Sequence, residues 1–285
     1  GAGYSSDYDC VSPIITFDNV VGAFTNGTVE DAFSISGYSS LVNTITVVNT
    51  TAKMFVKNSK FYVSDTFANR TNYVGATKLS TNTYNALIFI NCESLSVCNS
   101  LINAPNQVYV ASSVNYAVTG LKISCTGNIT LINNEFYYGA CPLYLYGTYA
   151  SDTIINNIII DSNKFISTVS RSNYLIYTNL VNASSSFVDT LQLSNNIFKH
   201  GGCSAEAEVA DGDVEGIGSI VNITARGFDV SAYGNNIYGE LYPGVYSSKA
   251  SLFINTYEAN GGNTSLTTKA NIYENVIFTI GGVVT

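Results

Sequence analysis

Between Ser204 and Gly218 the chain gathers Glu206, Glu208, Asp211, Asp213 and Glu215, a quarter of its 20 acidic residues. Carboxylates this close repel one another unless screened, and their oxygens suit a hard cation, calcium above all. The spacing does not place an acidic residue at each step of a twelve-residue calcium loop. The stretch therefore reads first as a solvated acidic loop and second as a calcium site. The single histidine, in Lys199-His200-Gly201-Gly202, has no Asp pair beside it and reads as a corner residue rather than a catalytic base. Arg171 and Arg226 sit in no recognisable motif.

Tyrosine carries a second chemistry. In Leu143-Tyr144-Leu145-Tyr146, strict alternation puts leucines on one face of a strand and tyrosines on the other. Tyr174-Leu175-Ile176-Tyr177 follows at a similar offset one repeat later, so Tyr144 is expected to stack on Tyr174 on the outside. Such a ladder offers apolar faces with polar tips to sugar rings or to a neighbouring subunit; packing beneath a loop is the competing reading.

The six cysteines form no Cys-x-x-Cys pair, and one histidine cannot complete a zinc site with them. An even count in a lysine-poor chain suits an oxidising compartment. Cys92–Cys98 and Cys125–Cys141 are the expected local bridges, with buried free thiols as the alternative. Seven glycosylation sequons start at Asn26, Asn49, Asn69, Asn128, Asn182, Asn222 and Asn263. A composition this rich in Asn, Ser and Thr yields about that many by chance, so they permit N-glycosylation without indicating it.

A phrase recurs along the chain that must hold these residues: a short apolar strand, then Asn, one variable residue, and a large apolar residue. It reads Asn133-Asn134-Glu135-Phe136, Ser162-Asn163-Lys164-Phe165, Asn195-Asn196-Ile197-Phe198, Asn235-Asn236-Ile237-Tyr238 and Glu274-Asn275-Val276-Ile277-Phe278, with earlier echoes at Asn58 and Asn99. Successive spacings of 41, 35, 29, 33, 40 and 39 residues from Asn58 suit coils whose loops vary in length. Each coil needs a sharp corner, where Asn tolerates the left-handed conformation and its amide can bond to coils above and below. A corner ladder of Asn134, Asn163, Asn196, Asn236 and Asn275 is expected. Phe61, Phe136, Phe165, Phe198 and Tyr238 should then point into the lumen. A β-sandwich with Asn-rich turns is the alternative, disfavoured because paired hairpin turns are scarce.

Composition agrees. The apolar part is mainly Val, Ile, Tyr and Phe, Trp is absent, and 33 asparagines lower helix propensity throughout. Only 11% of residues are charged, less than half of the roughly 25% usual in soluble domains. A net charge of −8 with 12 Lys plus Arg excludes a phosphate-binding surface, so nucleic acid is set aside. No apolar run approaches a membrane span and no basic leader opens the chain. Because the sequence starts at Gly1, a removed leader or a piece of a longer protein is expected.

The Asn-Asn-x-Phe corners resemble those of the pectin-lyase-like superfamily of right-handed β-helix proteins over about residues 50–285. Within it, the chain looks most like repeat-built surface proteins, the polymorphic outer-membrane proteins and the adhesin-like proteins of methanogens. The resemblance implies an all-β, right-handed parallel β-helix solenoid of about eight coils with variable loops. Residues 1–50 would form N-terminal coils or a cap, and residues 51–285 one continuous helix. Superfamily enzymes cleave polysaccharides with paired carboxylates, or with a basic residue and calcium; neither constellation is visible here. The expected role is extracellular, structural or adhesive, with self-association or glycans as partners. A polysaccharide-binding or polysaccharide-cleaving helix is the alternative.

Overall fold

In a computed structural model of the chain, the described residues are 13–24, 33–34, 45–63, 86–104, 109–111, 114–116, 119–125, 127–137, 141–146, 154–167, 175–179, 187–200, 220–225, 229–240, 251–256 and 269–280. Every regular element among them is a β-strand. Fourteen strands form one sheet and eight a second; a short antiparallel pair, Tyr109–Ala111 with Val114–Tyr116, stands apart. Within the two large sheets pairing is parallel and joins one repeat to the next, as where Ile129–Ile132 lies between Ala86–Cys98 and Ile154–Asp161. The strand Ile45–Lys57 crosses the expected boundary at residue 50, and Ile14–Asp18 pairs with it in parallel.

The larger sheet curls because its longest strands bend. Ala86–Cys98 pairs through Cys92 with Thr119–Cys125, and its second half pairs with Ile129–Ile132. Inward-facing positions change parity at the bend: Ile88, Ile90 and Cys92 are buried before it, Leu95 and Val97 after it. The chain thus passes along a first wall, a second wall and then the eight-stranded sheet, the third wall, before repeating. This arrangement of parallel strands in curled sheets is β-helix-like.

Passage from the second wall to the third uses a two-residue corner that occurs eight times among the described residues. Its first residue has positive φ, between 50° and 64°, at Asn19, Asn58, Asn99, Asn133, Ser162, Asn195, Gly234 and Glu274. Asn predominates because its short polar side chain tolerates this region better than other side chains do. At Gly234 a Cβ would lie 2.6 Å from Asn195 Oδ1, so glycine also relieves a close approach.

The second corner residues are Val20, Ser59, Ser100, Asn134, Asn163, Asn196, Asn235 and Asn275. The backbone N–H of each donates to the side-chain oxygen of the next, from Val20 through to Asn275, at 2.9–3.2 Å. Asparagine does more than serine here. Asn163 Nδ2 donates back to Leu131 O (2.8 Å) and its own Asp161 O (2.9 Å), and forward to Asn196 Oδ1 (3.1 Å). Its Oδ1 accepts from both the backbone N–H and Nδ2 of Asn134. Donors and acceptors of a buried amide are thereby satisfied.

Two expectations are corrected. The left-handed conformation and the ladder belong to adjacent residues, not to one Asn. At the seventh corner the ladder member is Asn235, while Asn236 is the first residue of the next strand, opposite Ile197. That shift of one position turns Ile237 inward and leaves Tyr238 41% exposed. The file Phe61, Ile102, Phe136, Phe165, Phe198 and Ile237 runs in register along the third wall and is buried throughout. Phe165 stacks on Phe136 with centroids 4.6 Å apart and on Phe198 at 5.1 Å. Each ring stabilises the stack by about 2 kcal/mol through burial.

Candidate functional site

The outer side of the first wall carries the most chemically varied column. In Thr119–Cys125, Lys122 alternates with the buried Leu121 and Ile123, and its register partner is Tyr144. Tyr144 in turn pairs with Tyr177, and Tyr177 with Asn222. The tyrosine rings stack with centroids 5.2 Å apart, and Lys122 Nζ lies 5.1 Å from the Tyr144 centroid. Both tyrosines are half-buried, whereas Lys122 is only 6% exposed.

Burial drives the electrostatics of this column. It lowers the Lys122 ammonium to about 8 despite the nearby Cys141, which pulls the other way. It also raises the Tyr177 phenol, and it pushes the Cys141 thiol up to about 12. The column therefore combines two aromatic faces with one amine that exchanges its proton near neutrality. Lysine in an otherwise uncharged strand was the available sequence signal, but alternation alone reads such a residue as solvent-facing.

Tyr144 and Tyr177 are brought together, three residues away from the expected pairing with Tyr174, which lies outside the described residues. Tyr146 follows in Cys141–Tyr146 with its backbone opposite Asn179. Among the sequons, Asn128 is exposed, with its Oδ1 accepting from Asn157 Nδ2 (3.2 Å), and Asn222 is half-buried at the end of the tyrosine column. Asn49 lies in a strand opposite Cys92. Asn26, Asn69, Asn182 and Asn263 lie outside the described residues, as do Arg171, Arg226 and the run Glu206, Glu208, Asp211, Asp213 and Glu215. Among the described residues no three His, Cys, Asp or Glu side chains come within reach of one metal ion.

The expected bridges are not formed. Cys92 points into the lumen while Cys98, beyond the parity change, is half-buried on the outer side. Cys141 pairs with Thr119, six residues before Cys125 on the neighbouring strand, a separation of about 20 Å. That exceeds what a disulfide spans. His200 is also displaced from its expected corner: it ends the strand Ile197–His200 and is 3% exposed.

Two further features are structural. The Asp161 carboxylate accepts from Ser194 Oγ, Asn195 Nδ2 and Ser162 Oγ. Burial alone would raise this carboxyl, but those bonds outweigh it and hold the group below the usual range. With its oxygens so engaged it is a poor base. Inside the lumen an apolar space of about 10 Å³ lies between Phe17, Met54, Phe61, Ile90, Ile102 and Leu121. It is at the margin of one water's volume and offers no polar partner, so it is a packing gap rather than a ligand pocket.

Comparison of the chain with known protein families, characterised proteins and solved structures gives no match. No helix among the described residues is long and apolar enough to cross a membrane. The functional reading therefore rests on the geometry above.

Proposed function

We propose that this chain is an extracellular structural or adhesive protein, a right-handed parallel β-helix of about eight coils whose rigid stack displays variable loops. The corner ladder carries the reading: seven consecutive N–H···O bonds tie eight successive corners into one continuous element. Right-handedness follows from the strong preference of parallel crossovers for that hand. The edge strand Val276–Ile280 has no described strand beyond it and exposes Val276, Ile277 and Phe278. Ile277 occupies the register position at which Phe165 and Phe198 are buried in inner repeats, so this edge suits end-to-end pairing with a second copy. Sedimentation velocity and electron microscopy of native material test this. Filaments or concentration-dependent assembly support the reading, and a strictly monomeric particle that cleaves polysaccharide overturns it.

A second reading, glycan binding, is favoured by one observation, the Lys122–Tyr144–Tyr177 column. Stacked tyrosines with an adjoining cation offer a sugar both an apolar face and polar contacts. If it binds glycan, replacing Tyr144 and Tyr177 together by Ser should lower binding on a glycan array at least tenfold while the far-ultraviolet spectrum stays unchanged. Unaltered binding removes the column from the site.

A further inference from the structure

Cys92 and Cys125 stand directly opposite each other on adjacent parallel strands of the first wall. Both side chains turn into the lumen as free thiols, at 0% and 3% exposure, and their sulfurs lie 3.2 Å apart. Opposed residues on neighbouring strands have backbones about 4.8 Å apart, within the roughly 4.4–6.8 Å between Cα atoms that a disulfide bridges. We propose that Cys92 and Cys125 form a disulfide that clamps one repeat to the next from inside the lumen. The two thiols together lose two protons and two electrons as the S–S bond forms. The oxidant is a small-molecule or protein disulfide, reduced to two thiols through a mixed-disulfide intermediate.

A bridging soft metal ion fits the pair less well. Two metal–sulfur bonds of about 2.3 Å at a tetrahedral angle would hold the sulfurs about 3.8 Å apart, beyond the 3.2 Å found. Burial dictates when the bond forms. Once the repeats have closed, burial and the neighbouring Cys92 raise the Cys125 thiol well above its ordinary range, which suppresses the attacking thiolate. The crosslink is therefore made during folding and is shielded from reductant afterwards. This inference rests on strand register and stands apart from the proposed function.

The test produces the full chain in an oxidising secretory compartment, traps free thiols in denaturant with an alkylating agent, and maps unreduced peptides by mass spectrometry. The expected result is a crosslinked pair containing Cys92 and Cys125. Reduction should also shift the unfolding equilibrium about 500-fold toward the unfolded chain, from the loop-closure entropy of a 33-residue separation. A Cys92→Ser/Cys125→Ser variant should lose that reductant sensitivity. Recovery of both cysteines alkylated from the oxidatively folded protein, or their pairing with other cysteines, overturns the proposal. Mapping of the unsubstituted chain decides the matter even if the variant does not fold.

Discussion

Replacing Asn163 by Leu is the most direct probe of what holds the repeats together. The side-chain amide of Asn163 is buried and takes part in five hydrogen bonds. Leucine is similar in size but strands the buried Asn134 backbone N–H and removes four further hydrogen bonds, among them the side-chain donor to the Leu131 carbonyl, each worth about 0.5–1.5 kcal/mol. Each stranded buried group costs about 1–3 kcal/mol, and the extra apolar burial returns about 1 kcal/mol. A net loss of about 3 kcal/mol is expected. Asn163→Ser is the informative control, because Ser59 and Ser100 fill this position in earlier repeats. There Oγ accepts the neighbouring N–H and donates to the carbonyl two residues back. Serine should keep the Asn134 N–H satisfied, lose the bond to Leu131 O, and cost about half as much. Urea unfolding gives the two losses, and amide hydrogen exchange at Asn134 reads the local bond, since stacked repeats can open in parts. Equal losses for Leu and Ser, or unchanged protection at Asn134 in the Leu variant, would refute the ladder argument.

Two further outcomes are expected. Phe165→Ala removes a fully buried ring stacked on both sides and should cost about 3–5 kcal/mol, read from the urea midpoint. Lys122→Met should make stability less dependent on pH in one direction. With the folded ammonium at about 8 and a free lysine at 10.5, the unfolded chain binds more protons between those values. The penalty of burying Lys122 is therefore full below about pH 8 and relieved as pH rises toward 10.5, at most about 3 kcal/mol. Cys141, raised to about 12, works in the opposite direction above pH 9 in both proteins. The test is thus the difference between wild type and variant: the variant's relative advantage at pH 7 should shrink by pH 10, and a constant difference would count against a strained buried ammonium.

The parts of this molecule that were legible in the sequence are those where one residue type solves a local problem. Asn134, Asn163, Asn196 and Asn275 were readable as ladder members because a buried corner amide must bond on both sides and few side chains can. Ser59 and Ser100 do the same work without the Asn signal, and Ser162 and Glu274 hold positive φ with no local feature that announces it. At Asn235-Asn236 two equivalent residues stand side by side, and only the pairing of Ile197 with Asn236 decides which turns inward. The register of Cys92 opposite Cys125 was hidden for a different reason. Sequence proximity favoured Cys92 with Cys98, yet the bend between them reverses which face of the strand looks inward. Tyr144 meets Tyr177 rather than Tyr174 because the loops before the two strands differ in length, and no local periodicity carries that offset.

Those unequal loops also explain why the repeat is irregular while the ladder is not. The corner between second and third walls is two residues long at every described passage, so the ladder keeps step however far apart in sequence its members lie. Length varies at the two other passages. From the third wall to the first it ranges from the three residues between Tyr137 and Cys141 to the twenty-two between Val63 and Ala86, with twenty between His200 and Val221 that include the acidic run. From the first wall to the second it runs from none, where Ile45–Lys57 and Ala86–Cys98 continue through both walls, to thirteen after Thr256. Sequence change is thus tolerated along two borders and resisted along the third, where a buried amide network would be broken. The first wall lies between the two variable borders and carries Lys122, Tyr144 and Tyr177. The stacked tyrosines thus stand on a wall whose register is fixed by strand pairing, between the two borders at which length changes from repeat to repeat without altering the stack.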